Sequence, residues 1–574
     1  MPTVNEIIRR LLPNGSNRAS RGVRSYPVWP PDAFAVAATL VNLSGIYCMP
    51  RYARGHGPGF FSNATLKRIK RTAAAWGLFL EERRSRRSHI DISNIRHLHK
   101  LWGMILANGD CQLQSMPTEC ADTCITLMMI ADEASAGMGF VMNVSGKRPF
   151  ADYLLQEHEN YFNERATDAL PYFPESLCRM IPSGEVCVQP KTMTPQLGCT
   201  LRSWSHHLAL LPAATQVTTE WCIAENQFDF GSHDRALNLL LVPFPYRIDG
   251  NCFVAGQSCS GDGDELGRFF EMDQRWLRWN GQSVSARSIA TFLNELMRQA
   301  ADEVDAVNGI VMPELALDDA RASGVAEILA KRNADLELFI CGVARKRNGM
   351  PCNSTKTFLF KKDKPAGARY VFSYWDQSKH HRWRLDSGQI RRYSLGNQLK
   401  PTSHWWKLAN IDERRCTFYV FRGGMSLTTL ICEDLARIDP VQTVIRSVGP
   451  NLVVALLMDG PQLERRWSGR YATVLADDPG SSVLTLTSLG LIRRSVRPGA
   501  TGSRKIALWK GAEGMAEELA LPAGHHALLI TLTHAQETNY TLDGRSDDGE
   551  TYRLWLSGVR SVRHANPPKW VAAD

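Results

Sequence analysis

Residues 426–434 read SLTTLICED, an apolar run that predicts a buried strand and ends on a cysteine followed by two acidic residues. Two further segments have the same form: GIVMPE ends at Glu314, and RYVFSYWDQSK reaches Lys379. Active sites of α/β folds collect at the carboxyl ends of strands, because loops converge there while the sheet stays rigid. A carboxylate, an amine and a thiol in these positions predict a site for acyl transfer.

The three side chains have complementary chemistry. A thiol with a pKa near ~8.5 is mostly protonated at neutral pH, so Cys432 needs a base or a positive neighbour to become a nucleophile. Glu314 can take the thiol proton and later give it to the leaving amine. Lys379 can lower the thiol pKa and stabilise the oxyanion, and the backbone N–H of Glu433 can supply a second oxyanion donor.

The chain from residue 236 onward alternates strand-like apolar runs with amphipathic helix-like segments. Its continuous apolar strands indicate a sheet that is buried under helices. The predicted strands lie at Leu239–Phe244, Ala306–Met312, Leu338–Val343, Thr357–Phe360, Ser426–Ile431, Leu452–Leu457 and Val483–Ser488. The predicted helices lie at Ser288–Ala301, Ala322–Arg332 and Val441–Val448.

Residues 1–235 have a different sequence pattern, in which basic stretches alternate with apolar residues at helical spacing. The basic stretches are Lys67–Arg71 and Arg83–Arg87. The pattern predicts helices at Ala121–Met142, Phe150–Ala166 and Leu201–Leu211, the last of which carries His206 and His207, and a loop at Pro182–Pro195. We therefore predict a mainly α-helical N-terminal region with a small strand element.

The bulk composition is that of an ordinary globular protein. The 574-residue chain is 44% hydrophobic and 22% charged, which fits two or three domains. We predict the helical region over 1–235, an α/β domain over 236–543 and a C-terminal extension over 544–574. The formal charge of +9 leaves contact with a nucleic acid open as an alternative.

Targeting and metal-binding signals are absent from the sequence. No apolar run reaches the ~20 residues of a membrane helix, and the start lacks a signal-peptide core, so we expect a cytoplasmic protein without a membrane partner. The 14 cysteines stand singly, which is typical of reduced thiols. Cys120 and Cys124 are one helical turn apart, but Met128 and Met129 beside them favour core packing over a metal site.

Three motifs together resemble the nitrilase (carbon–nitrogen hydrolase) superfamily. They are MPEL at Glu314, SKHH at Lys379 and ICEDLAR at Cys432, in the chain order of that family's Glu, Lys and Cys. The CED form resembles the glutamine-amidase branch, and CGVARKRNGMPCNSTKTF resembles the strand–turn–strand segment ahead of the lysine. The resemblance implies a four-layer α/β/β/α sandwich for residues 236–543, a homo-oligomer, and catalysis without a metal or organic cofactor.

One position departs from the family. A second glutamate usually follows the lysine and orients it, but residues 379–389 read KHHRWRLDSGQ and contain none. Asp386 and Gln389 are the candidates to replace it, and Glu433 is a third polar residue that can orient the site or contact substrate. The long segment between Lys379 and Cys432 also carries three tryptophans that can line a pocket or pack at an interface, namely Trp383, Trp405 and Trp406.

These observations predict a thiol-dependent hydrolase that cleaves a small-molecule amide, in preference to a nitrile, through a Cys432 thioester. Control by a ligand or partner of residues 1–235 is a further hypothesis, since helical regions appended to hydrolases are typical of regulated effectors. Two alternatives stay open. One is a catalytically silent scaffold that binds a nucleic acid or a protein, and the other is acyl transfer to an acceptor other than water.

Overall fold

The computed structural model describes most of the chain, namely residues 2–13, 26–48, 61–85, 92–138, 176–214, 216–223, 235–256, 268–362, 369–411, 414–422, 425–496, 502–512, 514–549 and 551–571. The helix predicted at Phe150–Ala166 lies outside these residues. So do the last part of the helix predicted at Ala121–Met142 and the end of the basic stretch Arg83–Arg87.

The described helices fall into an N-terminal group and a later group. The first comprises α1 (Val4–Leu11), α2 (Pro30–Ser44), α3 (Asn63–Ser85), α4 (Ile92–Ala107) and α5 (Thr118–Ala134). The second comprises α6 (Ala286–Ala300), α7 (Asp319–Arg332), α8 (Ser387–Arg392), α9 (Thr443–Val448), α10 (Trp467–Asp477) and α11 (Leu489–Arg494). None of the helices in the described part of the chain is long and apolar enough to cross a membrane.

The strands are concentrated in the later part of the chain. In order they are β1 (Cys187–Pro190), β2 (Leu208–Leu211), β3 (Thr218–Ile223), β4 (Leu237–Leu241), β5 (Phe253–Ala255), β6 (Arg268–Met272), β7 (Arg278–Trp279), β8 (Gln282–Ser283), β9 (Gly309–Asp318), β10 (Leu338–Arg347), β11 (Met350–Lys362) and β12 (Arg369–Ser378). They continue as β13 (Arg384–Leu385), β14 (Trp405–Lys407), β15 (Arg415–Phe421), β16 (Met425–Ile431), β17 (Leu452–Leu457), β18 (Ser482–Thr487), β19 (Lys505–Lys510), β20 (Ala516–Ala520), β21 (Ala527–Glu537) and β22 (Thr551–Val562).

Two seven-stranded sheets form the centre of the fold. The first sheet has the order β12-β11-β10-β9-β4-β21-β22, and the second has the order β20-β19-β18-β17-β16-β15-β3. In the first sheet β9 runs parallel to β4 and β10, and in the second β17 runs parallel to β16 and β18. The two sheets face each other, because β9 contacts β17 and β18.

The sheets bury apolar residues on both faces. Along β17, Leu452, Val454 and Leu456 belong to the core shared with the first sheet. The alternate residues Val453 and Ala455 belong to a second apolar cluster with α9, α10 and the N-terminal helices. This is the two-residue period of a strand that is covered on both sides. On the first sheet, α7 packs against β10 and β12, and α6 packs against α7.

Most of the predicted strands and helices are confirmed, with ends shifted by a few residues. Two predictions within residues 1–235 are wrong. Residues 201–211 form a short 3-10 turn at Leu201–Trp204 followed by strand β2, so His206 and His207 do not lie on a helix. β2 pairs with β1, which is inside the segment predicted as a loop. The apolar run Leu208–Leu211 is too short for its period to separate helix from strand.

The N-terminal group of helices packs against the α/β part of the chain. Helix α2 contacts β2, and β2 in turn contacts α9, which follows Cys432 in the chain. The sheets also extend past the predicted domain limits, because β3 pairs with β15 and β22 pairs with β21. The division at 235 and 543 stays a prediction.

Candidate active site

The three predicted site residues lie on strands of the two facing sheets. Lys379 directly follows β12 and Cys432 directly follows β16. Glu314 was expected at the end of its strand, but β9 continues to Asp318. The β9–β10 register shifts beside it, between Cys341 and Val343.

A close backbone approach shapes this irregularity in β9. Leu315, the residue after Glu314, has φ of 58°, a left-handed conformation that is uncommon for any residue with a side chain. A Cβ atom at Gly342 of β10 would lie 2.4 Å from the Cα atom of Glu314. The glycine therefore allows the two strands to come close where the carboxylate projects into the site.

Glu314 and Lys379 form a buried ion pair. The Lys379 Nζ atom lies 2.9 Å from Oε1 of Glu314, and the two side chains are 1% and 0% exposed. Glu433 adds a second carboxylate, with its Oε2 atom 3.2 Å from the same Nζ. The Lys379 ammonium group therefore contacts two carboxylates, and the second belongs to Glu433, the residue that follows Cys432.

The ion pair fixes the charges of its members. Burial opposes the ionised form of Glu314, but Lys379, a further lysine at position 407 and hydrogen bonds to the carboxylate outweigh it and lower the pKa of Glu314. Burial also opposes a charged Lys379, yet Glu314 and Glu433 raise the pKa of Lys379 well above its ordinary value. The resting pair is a carboxylate and an ammonium.

Cys432 is held as a neutral thiol in a strained backbone. Burial raises the pKa of Cys432 well above its ordinary value, and Lys379 opposes this while Glu314 and Glu433 add to it. Its φ of 49° places a non-glycine residue in the left-handed region, a conformation that costs free energy and is found preferentially at functional sites. A thiol in this setting depends on a nearby base for activation.

Asn353 is a site residue that the sequence did not single out. It lies on β11, and its side-chain Nδ2 donates to Oε1 of Glu314 at 2.6 Å. The backbone N–H of Lys379 donates to the carbonyl of Asn353 at 2.8 Å. Asn353 therefore links Glu314, the candidate general base, to the backbone at Lys379. Its only sequence signal is its place in the segment resembling the family's strand–turn–strand.

Asp434 organises the residues after Lys379. Its buried carboxylate accepts from the backbone N–H of His380 at 3.1 Å and lies 3.0 Å from Nδ1 of His381. The two acidic residues after Cys432 thus have different contacts. Glu433 contacts the Lys379 side chain, and Asp434 binds the backbone N–H of the next residue, His380.

Asp386 and Gln389 do not orient Lys379, contrary to the prediction. They form a reciprocal capping box at the start of α8, in which each side chain accepts from the other residue's backbone N–H. Their side-chain oxygens are used by this local turn. Glu433, the third residue that the sequence suggested for this role, is the one whose carboxylate contacts Lys379, across 53 intervening residues.

A second buried lysine, Lys407, reaches the same group of residues. It ends β14 and is 4% exposed. Burial lowers the pKa of Lys407 to about 7, with Glu314 acting against this and Lys379 adding to it. No sequence feature identified Lys407, because it follows two tryptophans in a segment without a motif.

The tryptophans of this segment mostly pack inside the protein. Trp383 and Trp405 are 3% and 4% exposed and belong to the core shared by the two sheets. Beside the site lies a cavity of about 1730 Å³ whose wall includes Leu315 and Lys407. Leu315, which follows Glu314, and Lys407 thus connect the cavity wall to the site.

Comparisons with known proteins reach only part of the chain. No protein-family model and no curated protein sequence matches it. Solved structures of the nitrilase superfamily are similar to about half of it. A carbon–nitrogen hydrolase from Helicobacter pylori covers 50% of this chain and 85% of its own, at 13% identity and a TM-score of 0.27.

Two other solved structures show similar values. Nit3 from Saccharomyces cerevisiae, a member of branch 10 of the nitrilase superfamily, covers 59% of this chain and 92% of its own, at 11% identity and a TM-score of 0.25. A glutamine-dependent NAD(+) synthetase from Cytophaga hutchinsonii covers 52% of this chain and 43% of its own, at 10% identity and a TM-score of 0.25. Likenesses of this size support no activity, which has to be argued from the site itself.

Proposed function

We propose that this protein is a thiol-dependent hydrolase of a non-peptide carbon–nitrogen bond, an amide in preference to a nitrile, with Cys432 as nucleophile. The observation that carries the proposal is the buried Glu314–Lys379 ion pair at 2.9 Å, in a site where both charges act on the Cys432 thiol. A buried ion pair is weak evidence for stability, because its desolvation cost is high. The Glu314–Lys379 pair also acts on Cys432, whose backbone is strained, so a catalytic role explains the pair better than a contribution to stability does.

The first half-reaction transfers the acyl group to sulfur. Glu314 takes the proton of the Cys432 thiol, and the thiolate attacks the amide carbon. The charge that develops on the carbonyl oxygen is stabilised by the Lys379 ammonium and by the backbone N–H of Glu433. Glu314 then gives its proton to the leaving amine as the carbon–nitrogen bond breaks, which leaves a thioester on Cys432.

The second half-reaction returns the enzyme to its starting state. Glu314 takes a proton from a water molecule, which attacks the thioester carbon. The carbon–sulfur bond breaks, Glu314 gives that proton to the departing Cys432 thiolate, and the acid is released. Glu433 keeps Lys379 in place through both steps, the role that the sequence had suggested for Asp386 or Gln389. Every step uses groups of this chain and needs neither a metal nor an organic cofactor.

The fold proposed for this site is the four-layer α/β/β/α sandwich. Its support is the packing of α7 on the first sheet, the core shared by the two sheets and the packing of α10 on β18 and β19 of the second. Control by the N-terminal helices belongs to the same proposal, because Cys432 lies in the same apolar cluster as residues of α2 and α5.

Mass spectrometry of the intact protein tests the nucleophile. The full chain and Cys432→Ala are exposed to iodoacetamide and to a panel of simple amides that includes glutamine. Rapid labelling at one site, or an acyl adduct that the variant lacks, is expected. Cys416→Ala is the matched control, since Cys416 is a fully buried thiol on β15 of the same sheet, and it should label like the wild type.

The outcomes separate the alternatives. Slow and unselective labelling that is the same in all three proteins would contradict the proposal and favour a catalytically silent scaffold. An acyl adduct that transfers to an added amine faster than to water would keep Cys432 as nucleophile but replace hydrolysis by acyl transfer.

A further inference from the structure

Lys407 is brought to the site by a small accessory sheet. Its strand β14 runs parallel to β6, in a four-stranded sheet of order β13-β14-β6-β5. The backbone N–H of Lys407 donates to the carbonyl of Trp383 at 2.8 Å. The backbone is therefore fixed, and the side chain is delivered to the site by a segment that is separate from the strands carrying Glu314, Lys379 and Cys432.

The Lys407 ammonium group lacks a partner. Its Nζ atom is buried and makes no hydrogen bond within the described part of the chain. A buried amine without a partner costs free energy, so this position is unfavourable unless something else binds there. Oε2 of Glu314 and Oδ1 of Asn353 are also buried atoms with no hydrogen bond to any described residue. The site thus holds one buried donor group and two buried acceptor atoms that have no hydrogen bond to any described residue.

The charges around Lys407 come from the reacting groups. Glu314, Lys379, Cys432 and Glu433 all act on its ionisation. The two nearby carboxylates are already shared with Lys379. An added negative charge would give Lys407 a partner of its own.

The cavity beside Lys407 has a basic wall. Seven basic residues line it against five carboxylates: Arg278, Arg321, Arg345, Lys346, Arg347, Lys407 and Arg415 against Glu271, Asp273, Asp318, Asp319 and Asp376. Arg345 pairs with Asp376 and Arg321 with Asp318 within the wall. Asp319, Asp273 and Arg415 pair with residues outside it, namely Lys356, Arg275 and Glu220. A small anion entering from the cavity meets a wall with a basic excess before it reaches Lys407.

We propose that Lys407 binds a carboxylate carried by the acyl part of the substrate, so that the hydrolase acts on anionic amides. This inference rests on the proposed function. A carboxylate would give the buried Lys407 amine a charge-assisted hydrogen bond, which is the strongest kind available to it. Because Glu314, Lys379 and Cys432 all act on the ionisation of Lys407, the anion would bind in the same site as the bond that is cleaved.

Two alkylating agents of nearly equal size test this inference without the natural substrate. Iodoacetate carries a carboxylate where iodoacetamide carries a neutral amide, and both alkylate thiols. The quantity measured is the rate of Cys432 labelling by iodoacetate divided by the rate with iodoacetamide, both in the full chain. Changes in thiol reactivity affect both rates and cancel in this ratio. We expect the wild-type ratio to exceed that of a free thiol by about tenfold or more, the effect of one charge-assisted hydrogen bond.

Substitutions then assign the preference to Lys407. Lys407→Met should lower the ratio about tenfold, and Lys407→Arg should keep it within about threefold of the wild type, because it retains the charge. Lys331→Met is the matched control: it removes the same charge from an exposed position on α7, outside the cavity wall, and it should leave the ratio unchanged.

The results distinguish this inference from the proposed function. Selective labelling of Cys432 with a wild-type ratio no higher than that of a free thiol would overturn the role of Lys407 and leave the nucleophile in place. A ratio that falls equally in Lys407→Met and Lys331→Met would also overturn it. The absence of selective labelling by either reagent would overturn the proposed function itself. The wild-type ratio decides the question even where Lys407→Met does not fold.

Discussion

The side-chain amide of Asn353 donates to Oε1 of Glu314 at 2.6 Å, the same oxygen that lies 2.9 Å from the Lys379 Nζ. Two donors therefore bind one oxygen of the carboxylate. The other oxygen, Oε2, has no hydrogen bond to any described residue. This asymmetry assigns different roles to the two oxygens: Oε1 anchors the side chain, and Oε2 is available to exchange a proton.

Asn353→Leu should slow the chemistry through this anchor. The substitution keeps the size of the side chain but leaves Glu314 with one donor, so we expect the iodoacetamide labelling rate of Cys432 at neutral pH to fall about tenfold. The free energy of unfolding should fall by about 1–3 kcal/mol, the cost of leaving a buried partner unsatisfied. Labelling kinetics and urea unfolding measure the two effects.

Asn238→Leu is the control for that variant. Asn238 of β4 is also buried, and its side chain donates to the carbonyl of Ala306 at 2.8 Å. It should lose a similar amount of stability without a change in labelling rate. Equal labelling rates in the wild type and Asn353→Leu would show that Asn353 supports only the fold.

Glu314→Gln should destabilise the protein in a way that depends on pH. The folded-state pKa of Glu314 is lowered, so its ionised form stabilises the fold above the unfolded pKa of about 4.3. This contribution is lost as the pH falls through the folded value. We expect a difference in unfolding free energy of about 3–5 kcal/mol at pH 7, because the variant removes one of the two carboxylates that pair with the buried Lys379 ammonium group.

Urea unfolding of wild type and Glu314→Gln between pH 7 and pH 3 measures that difference. It should shrink at the acidic end, where the wild-type carboxyl is protonated and resembles the amide. A difference that stays constant with pH would mean that folding leaves the pKa of Glu314 unchanged, which would contradict its buried ion pair with Lys379.

Local sequence patterns predicted the strands that carry the site. The strand at Leu452–Leu457 was predicted with its observed ends, because its six apolar residues are buried on both faces. The order of Glu314, Lys379 and Cys432 also predicted a common site, and the structure joins the first two by an ion pair.

Contacts between distant residues could not be predicted in this way. Glu433 faces Lys379 only because β16 and β12 lie in facing sheets, and Asn353 reaches Glu314 only across the strands of the first sheet. The error at residues 201–211 was local, since a four-residue apolar run fits either period. Lys407 comes from a short strand whose partner, β6, begins 137 positions earlier in the chain.

Gly342→Ala should damage the site through the backbone. The added Cβ would lie 2.4 Å from the Cα atom of Glu314 and 2.5 Å from the backbone N of Leu315. Backbone atoms cannot rotate away, so β9 must move. We expect a loss of about 1–3 kcal/mol in unfolding free energy together with slower Cys432 labelling.

Gly103→Ala is the matched control for this change. Gly103 lies in α4, and a Cβ there meets no atom within 4 Å. Alanine favours a helix over glycine by about 1 kcal/mol, so this variant should be as stable as the wild type or more stable, with unchanged labelling. Normal labelling in Gly342→Ala would mean that the close approach of β9 and β10 does not position Glu314.

Arg545 joins the N-terminal helices to the rest of the chain and should control their attachment. Its guanidinium is fully buried, lies 3.1 Å from Asp132 of α5 and 3.0 Å from Asp543, and donates to the carbonyl of Trp204 at 2.7 Å. Arg545→Met leaves two buried carboxylates without their main partner. We expect a loss of about 3–5 kcal/mol in unfolding free energy, with increased hydrogen exchange in α5.

Replacing the partners together tests whether charge or contact holds this junction. Asp132→Asn combined with Arg545→Met and Asp543→Asn removes the three fully buried charges and leaves Glu133, the other carboxylate that pairs with Arg545, at 2.9 Å. Much of the loss in the single variant should then be recovered. If hydrogen exchange in α5 stays low in Arg545→Met, the apolar cluster alone attaches the helices. If exchange rises and Cys432 labelling changes with it, the junction transmits the state of the N-terminal region to the nucleophile, as control of the site by residues 1–235 requires.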